Sequence, residues 1–267
     1  DDWTSHCGDM VHRFDRDRLM CAMVAPPDRR GALLALLAFN LEIAGIPELV
    51  SEPSLGEIRQ QWWRDTVTSI YAGSGVNHPV ALGLADGINK HRLAKALFDE
   101  YFDARAFDLG GHAPESLVEL EAYADGMAGA LSELMGEVLG LATVAPGTQP
   151  LVRTALRHAG AAWALSGILE AIAFHTRQGR SYLPADLPED EKPVAVAAAA
   201  RHHIAQARAV RQGVPKLMLP VLLFAFLAEE RLRRLEKTGF DPSRGQHKRP
   251  GVGRLFRFYG KVLSRSY

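Results

Sequence analysis

Cysteine is almost missing from this chain: Cys7 and Cys21 are the two in 267 residues. They show no zinc or haem spacing and are too few to staple a fold of this size, which predicts two inert thiols in a reducing compartment. The chain also lacks an alternating strand pattern sustained for more than a few residues, and it carries no internal repeat and no long linker. Its most apolar run, KLMLPVLLFAFLA at 216 to 228, is thirteen residues long and contains Pro220. A spanning helix needs about 20 apolar residues, so this run is expected to be a core helix. The opening DDWTSHCGDM has no signal-like apolar run, so any targeting segment is expected to have been removed or never to have existed.

What is present is helical periodicity. With 47% hydrophobic residues the chain can bury a sizeable core, and nothing in its composition suggests collagen, a disulfide scaffold or disorder. RRGALLALLAFNLEIA, LGEIRQQWWRDTVTSIYAG, SLVELEAYADGMAGALSELMGEVLGLA and PLVRTALRHAGAAWALSGILEAIAFHTRQG place apolar residues at three- and four-residue steps, as amphipathic or buried helices do. Pro26-Pro27, Pro53, Gly73 to Gly75, Gly110-Gly111, Pro146-Gly147 and PADLPEDEKP punctuate them. Ser116 with Glu119 three residues on resembles a capping box. The expected architecture is all-α, one domain over 1–267 with a basic tail from about 231.

Net charge is zero, yet unevenly spread. From Arg231 to Tyr267 there are eleven Lys and Arg against Glu236 and Asp241. Leu255, Phe256, Phe258, Tyr259, Val262 and Leu263 alternate with the basic residues, which favours an anionic membrane surface over nucleic acid as the partner. A basic, partly packed terminal helix is the other reading. An adaptor role for the acidic stretch Glu115 to Glu137 is permitted by the same asymmetry. Of Trp62 and Trp63, one is expected to pack and one to cover a surface; His202 and His203 are expected to be solvated.

The stretch FNLEIAGIPELVSEP bears most directly on chemistry. Two carboxylates four residues apart return to one helix face and can share a divalent ion with phosphate oxygens. Glu42 and Glu48 are six apart and diverge by about 120° on an unbroken helix, while Pro47 and Pro53 bracket Glu48 and Glu52. Four residues before Glu48 stands Ala44.

These residues resemble the squalene/phytoene synthase family, whose members join prenyl diphosphates on an all-α isoprenoid-synthase fold. The resemblance runs from RDRLMCAMVAPPDRRGALLALLAFNLEIAGI through QWWRDTVTSIYAG, HPV, FDARAFDL and YADGMAGALSEL to GAAWALSGILEAIAFHTRQGRSYLP and the GFDP turn. The family's first aspartate motif falls on Ala44, Gly45 and Glu48. Its second helix, read back from Arg180 and Tyr182, places Ala164, Gly167, Glu170, Ala171 and His175 where Gln, Asn, Arg and two Asp are usual. The family's usual Cys-Arg pair is Asn40 and Leu41. The resemblance is nearest to the branch that lacks aspartate motifs and is related to a mitochondrial factor assisting complex I assembly, sharing AFNLEIAxI, VSEPSLGEIRQQWWRD and FHxRQGRxYLP.

That resemblance implies a retained fold without Mg²⁺-dependent synthase chemistry, since magnesium neutralises the leaving diphosphate and neutral imidazole is a poor ligand for it. The expectation is no catalytic residue, no metal and no cofactor. The candidate binding residues, for a prenyl or other lipid ligand, are Glu48, Tyr123, Glu170, His175, Arg177, Arg180 and Tyr182, with Arg177 and Arg180 recognising an anion. The basic tail would hold the protein peripherally at the inner membrane of a bacterium, on the cytoplasmic side, or on the matrix side of a mitochondrion. A respiratory-complex subunit is the implied protein partner. The alternative is a surviving prenyl-diphosphate synthase whose Glu42, Glu48 and nearby acids rebuild a weak Mg²⁺ site.

Overall fold

A computed structural model describes residues 3–50, 52–240, 252–264 and 266–267. Every regular element among them is helical. In chain order these are α1 Trp3–Phe14, α2 Arg16–Met23, α3 Pro27–Ala44, α4 Ile46–Leu49, α5 Pro53–Tyr71, α6 Pro79–His91 and α7 Lys95–Arg105, then α8 Leu117–Ala124, α9 Ala130–Val138, α10 Gln149–Glu170, α11 Ile172–Arg177, α12 Lys192–Ala209, α13 Leu219–Glu236 and α14 Val252–Ser264. Ser51 of the VSEP segment, Asp241 and Pro242 of the GFDP turn, and Arg244, Lys248, Arg249 and Arg265 of the tail lie outside the described residues.

The breaks anticipated from Pro and Gly fall between helices, where a missing N–H or a turn is tolerated. Pro27, Pro53, Pro79 and Pro220 each stand in the first turn of their helix. That position explains how Pro220 coexists with a helix whose Leu222, Leu223, Phe224 and Leu227 are all buried. No helix among the described residues is long and apolar enough to cross a membrane. The Ser116 Oγ accepts from the Glu119 N–H at 3.3 Å, while the Glu119 carboxylate accepts from the N–H of Glu115, one residue before the cap. Trp63 is 4% exposed and Trp62 49%.

Two helices organise the core. α3 buries Leu33, Leu36, Leu37 and Phe39 between α1 and α6. α10 lies against α9, α12 and α13. Between α8 and α9 the chain widens into a π-helical turn, Asp125–Gly129, which packs on α7 and α10. This turn explains the glycines of YADGMAG: a Cβ at Gly126 would stand 2.8 Å from the Cβ of Ala104. Opposite, a Cβ at Gly160 of α10 would stand 2.2 Å from the Ala128 carbonyl oxygen.

The terminal helix α14 packs back on this body, burying Phe258 against Phe226. Arg254 reaches Asp17 at 2.6 Å and Arg257 reaches Glu230 at 2.6 Å. Arg231, Arg233 and Arg234, counted with the tail by charge alone, belong to α13 and pair with acids there and on α10.

Gly160→Ala should therefore lower stability by about 2 kcal/mol, because backbone rather than a flexible side chain must yield. Thermal unfolding would register this as a drop of roughly 4–8 °C. Gly75→Ala, with nothing within 4 Å, should leave the transition unchanged.

Candidate functional site

The helical stretches that matched the two aspartate motifs meet at a cavity of about 580 Å³. Asn40, Leu41 and Ala44 enter it from α3, Glu48 from α4, and Trp163, Ala164, Gly167 and Ile168 from α10. Both helices are interrupted beside it. α3 ends at Gly45, whose N–H still reaches the Leu41 carbonyl at 3.0 Å, and Pro47 then prevents continuation. α10 ends at Glu170, and Ala171, at φ −93° and ψ 4°, turns the chain into α11.

The floor is a buried polar cluster. Arg105, at the last turn of α7, pairs with Asp108 at 2.8 Å, and both are almost fully buried. The Asp108 carboxylate also accepts from the hydroxyls of Tyr123 at 2.6 Å and Tyr182 at 2.9 Å. Arg105 donates to the Tyr123 hydroxyl at 3.2 Å, to the Tyr101 hydroxyl at 3.2 Å and to Asn40 Oδ1 at 3.1 Å. Burial opposes the charge on Arg105, but Tyr101, Tyr123 and Asp108 around it hold the guanidinium protonated. Burial, with Asp108 adding to it, pushes the Tyr123 and Tyr182 phenols above their ordinary value, so both remain donors.

A second polar centre lines one wall. Arg231, a buried residue of α13, lies 3.9 Å from the centre of the Trp163 ring, with Arg18 at 5.8 Å from it. Such stacking is worth about 2 kcal/mol when desolvated. Arg231 pairs with Glu170 at 2.6 Å, and Arg18 with Asp15.

Of the residues singled out in the sequence, Glu48, Tyr123, His175 and Tyr182 share this cavity. Glu170 turns away from it to bind Arg231 and Arg234. Arg180 donates to the Pro47 carbonyl at 2.8 Å and so ties the loop after α11 to α4. Arg177 is exposed outside the cavity. The two arginines thus do not converge on a common anion position. Arg105, Asp108 and Trp163 were not singled out, while Asn40 entered only as a changed family position and Arg231 only as a charge of the tail; Arg105 and Asp108, three residues apart in FDARAFDL, carried the signal that could have found the floor.

The donor set does not suit magnesium. Asp108 is held by Arg105 and two tyrosines, Asp15 by Arg18, and Asp17 by Arg254. Glu48 shares the cavity with those three engaged carboxylates, Ala44 offers no ligand, and burial keeps His175 below its ordinary pKa. Among the described residues no group of three or more His, Cys, Asp or Glu is placed to hold a metal ion. The thiols are likewise withdrawn: both are buried, and burial pushes Cys7 up to about 12 and Cys21 well above its ordinary value.

One histidine departs from expectation. His203 is buried where α12 meets α10, its Nδ1 2.7 Å from that of His158 and its Nε2 3.2 Å from Glu121. His202 beside it is exposed. Residues 45 apart on different helices cannot signal this pairing in the sequence.

Comparisons with known proteins identify the fold on which this site stands. A family model described as squalene/phytoene synthase matches residues 11–192. NADH dehydrogenase (ubiquinone) complex I, assembly factor 6, of Bos taurus is 28% identical over 254 residues, covering 88% of this chain and 74% of that one. Chloroplastic phytoene synthase 2 of Solanum lycopersicum is 25% identical over 183 residues, covering 67% of this chain and 58% of that one. A dehydrosqualene synthase crystal structure superposes with TM-score 0.78 at 15% identity, covering 98% of this chain and 95% of that one. The squalene synthase HpnC of Alicyclobacillus acidocaldarius gives 0.74 at 15% identity, with 90% and 95% covered. The fold is therefore the all-α isoprenoid-synthase fold.

Asp108→Ala should cost about 3–5 kcal/mol in urea unfolding, since it strands Arg105 in the interior. Tyr182→Phe, which removes one hydrogen bond and leaves the pair, should cost about 1 kcal/mol. Burial holds His91, His158, His175 and His203 below their ordinary value of 6.5. Their unfolded forms take up protons first as pH falls through 6.5, so stability should decline below that pH. His203→Gln should flatten the decline.

Proposed function

The chain belongs to the squalene/phytoene synthase family, and from that premise we propose that it is a non-catalytic member: a lipid-binding protein working at a membrane surface in the assembly of a respiratory complex. The observation that carries this reading is the engagement of the cavity's carboxylates. Diphosphate ionisation requires the leaving group's growing charge to be neutralised, a contribution of several kcal/mol from bound metal. Here three of the four carboxylates that line the cavity, Asp108, Asp15 and Asp17, are already neutralised by Arg105, Arg18 and Arg254. Those three serve to hold the protein together.

The assembly role is supported by the names of the relatives, complex I assembly factor 6 in Bos taurus and Homo sapiens. Membrane attachment is supported by α14. Phe256 is 75% and Leu263 83% exposed; with Tyr259, three and four residues away, they form one apolar face. Arg257 and Lys261 flank this face, and the Arg254–Asp17 contact sets the start of the helix against the cavity wall. Among the described residues of α14, Arg254 and Arg257 are paired with Asp17 and Glu230, so on this helix the apolar face supplies more of the attraction than charge does. The respiratory partner would then be met on the cytoplasmic side of a bacterial inner membrane, or on the matrix side of a mitochondrion.

Purified protein supplied with farnesyl or geranylgeranyl diphosphate and MgCl₂ should release no diphosphate, with an aspartate-bearing family member as positive control. It should sediment with anionic vesicles, losing part of the binding in high salt. The Phe256→Ser, Leu263→Ser double variant should stay in the supernatant. Diphosphate release abolished by Glu48→Gln would restore the enzyme reading; wild-type protein that stays soluble with vesicles at low salt would remove the membrane part.

A further inference from the structure

The cavity continues onto the surface in one apolar direction. Phe14, Leu41, Ala44 and Glu48 form part of its wall and also part of a second hollow of about 400 Å³, reaching Met10, Gly45 and Leu49. Leu49 and Glu42 are shared in turn with a third hollow of about 380 Å³, lined by Ile46, Ile58, Trp62 and Trp63. The result is a path from the Arg105–Asp108 floor, over the bare backbone of Gly45, to an exposed stripe of Leu49, Ile58 and Trp62. Leu49 is 66% exposed, although it is a leucine on the rim of a charged cavity.

Inward, described residues fill the space behind the floor. Behind the floor, Phe39 packs against Phe98 at 5.7 Å, Tyr101 at 5.2 Å and Phe102 at 5.6 Å between ring centres, and all four residues are fully buried. A second opening past His175 and Tyr182 is mixed, with Ile168, Ile172 and Leu183 beside Arg180, Glu189 and Lys192, and it lacks the exposed aromatic and aliphatic stripe of the first.

The deep cavity is also balanced in charge. Arg105 has Asp108, Arg18 has Asp15, and Arg231 has Glu170. Arg13 and Arg16 are exposed in water at the mouth. A diphosphate placed at the floor would bring negative charge to a site whose cations already have partners, while a ligand hydroxyl could donate to the Tyr182 oxygen, whose own proton goes to Asp108, at little electrostatic cost.

We propose that this cavity takes the uncharged, oxygen-bearing head group of a long-chain lipid, and that the chain leaves outward over Gly45 and Leu49 toward Trp62. This rests on the reading that the cavity holds a lipid, and adds the chemistry of its head and the course of its chain. The chain would lie on an open surface from which it can pass to a membrane or a partner.

Titration calorimetry with geraniol, farnesol, geranylgeraniol and farnesyl diphosphate, the last with and without MgCl₂, tests the idea. Farnesol should bind at least about tenfold more tightly than farnesyl diphosphate, with no change on adding MgCl₂. Affinity should rise roughly tenfold or more for each added isoprene unit. Leu49→Lys, at an exposed position, should abolish that gain and leave geraniol binding unchanged, whereas Ile172→Lys at the second opening should preserve it. Tyr182→Phe should weaken all three alcohols alike, by about fivefold. The proposal is overturned if the diphosphate binds as tightly as farnesol, if none of the alcohols binds, or if the gain with chain length survives Leu49→Lys. Diphosphate release and vesicle sedimentation are separate readouts, so a chain taking another route would sink this inference and leave the non-catalytic reading standing.

Discussion

The Arg105–Asp108 pair is the constraint around which the site is built. Two opposite charges almost wholly removed from water are tolerated only when each spare lone pair and proton finds a partner. Asn40 from α3, Tyr101 from α7, Tyr123 from α8 and Tyr182 from beyond α11 supply those partners. Four segments far apart in the chain therefore converge on one carboxylate and one guanidinium. The cavity exists above this cluster because the cluster fixes where its walls stand.

On the proposed non-catalytic reading, the same cluster would separate this chain's chemistry from that of a metal-dependent synthase on the same fold. A carboxylate that accepts from an arginine and two phenols has little left to give a hard cation. Where the two aspartate helices would face each other across metal, Ala44 leaves only a small apolar surface, and Glu48 and His175 are what the matched places bring to the cavity. Arg180, which lay beside that second motif in the sequence, now secures α4 by holding the Pro47 carbonyl. What remains is a walled space with neutral hydrogen-bonding capacity at its base and hydrocarbon at its rim.

The rim and α14 share a character that the core does not require. A chain able to bury Leu222, Leu223 and Phe224 completely leaves Phe256, Leu263, Leu49 and Trp62 in water. Exposed apolar residues at three- and four-residue steps on two separate helices suit a molecule that works against a lipid or another protein. Arg254 links the two regions by binding Asp17 in the cavity wall.

The sequence by itself determined the helices and their ends, because periodicity and the backbone limits of Pro and Gly act locally. It also put Ala44, Gly45 and Ala171, which carry no ligand in any conformation, at places where the family resemblance implies metal-binding aspartates. The tertiary structure alone decided which polar residues meet. Asn40 lies 61 residues from Tyr101, and Pro47 lies 133 from Arg180; such contacts follow from how helices pack. Packing likewise put Arg231 and His203 inside, although by charge one belonged to a basic tail and the other to a solvated pair. It sent Arg177 outward and spent Arg180 on a backbone carbonyl. A side chain's chemistry is fixed by its type, but its partners and its dielectric surroundings are set only when distant helices close around it.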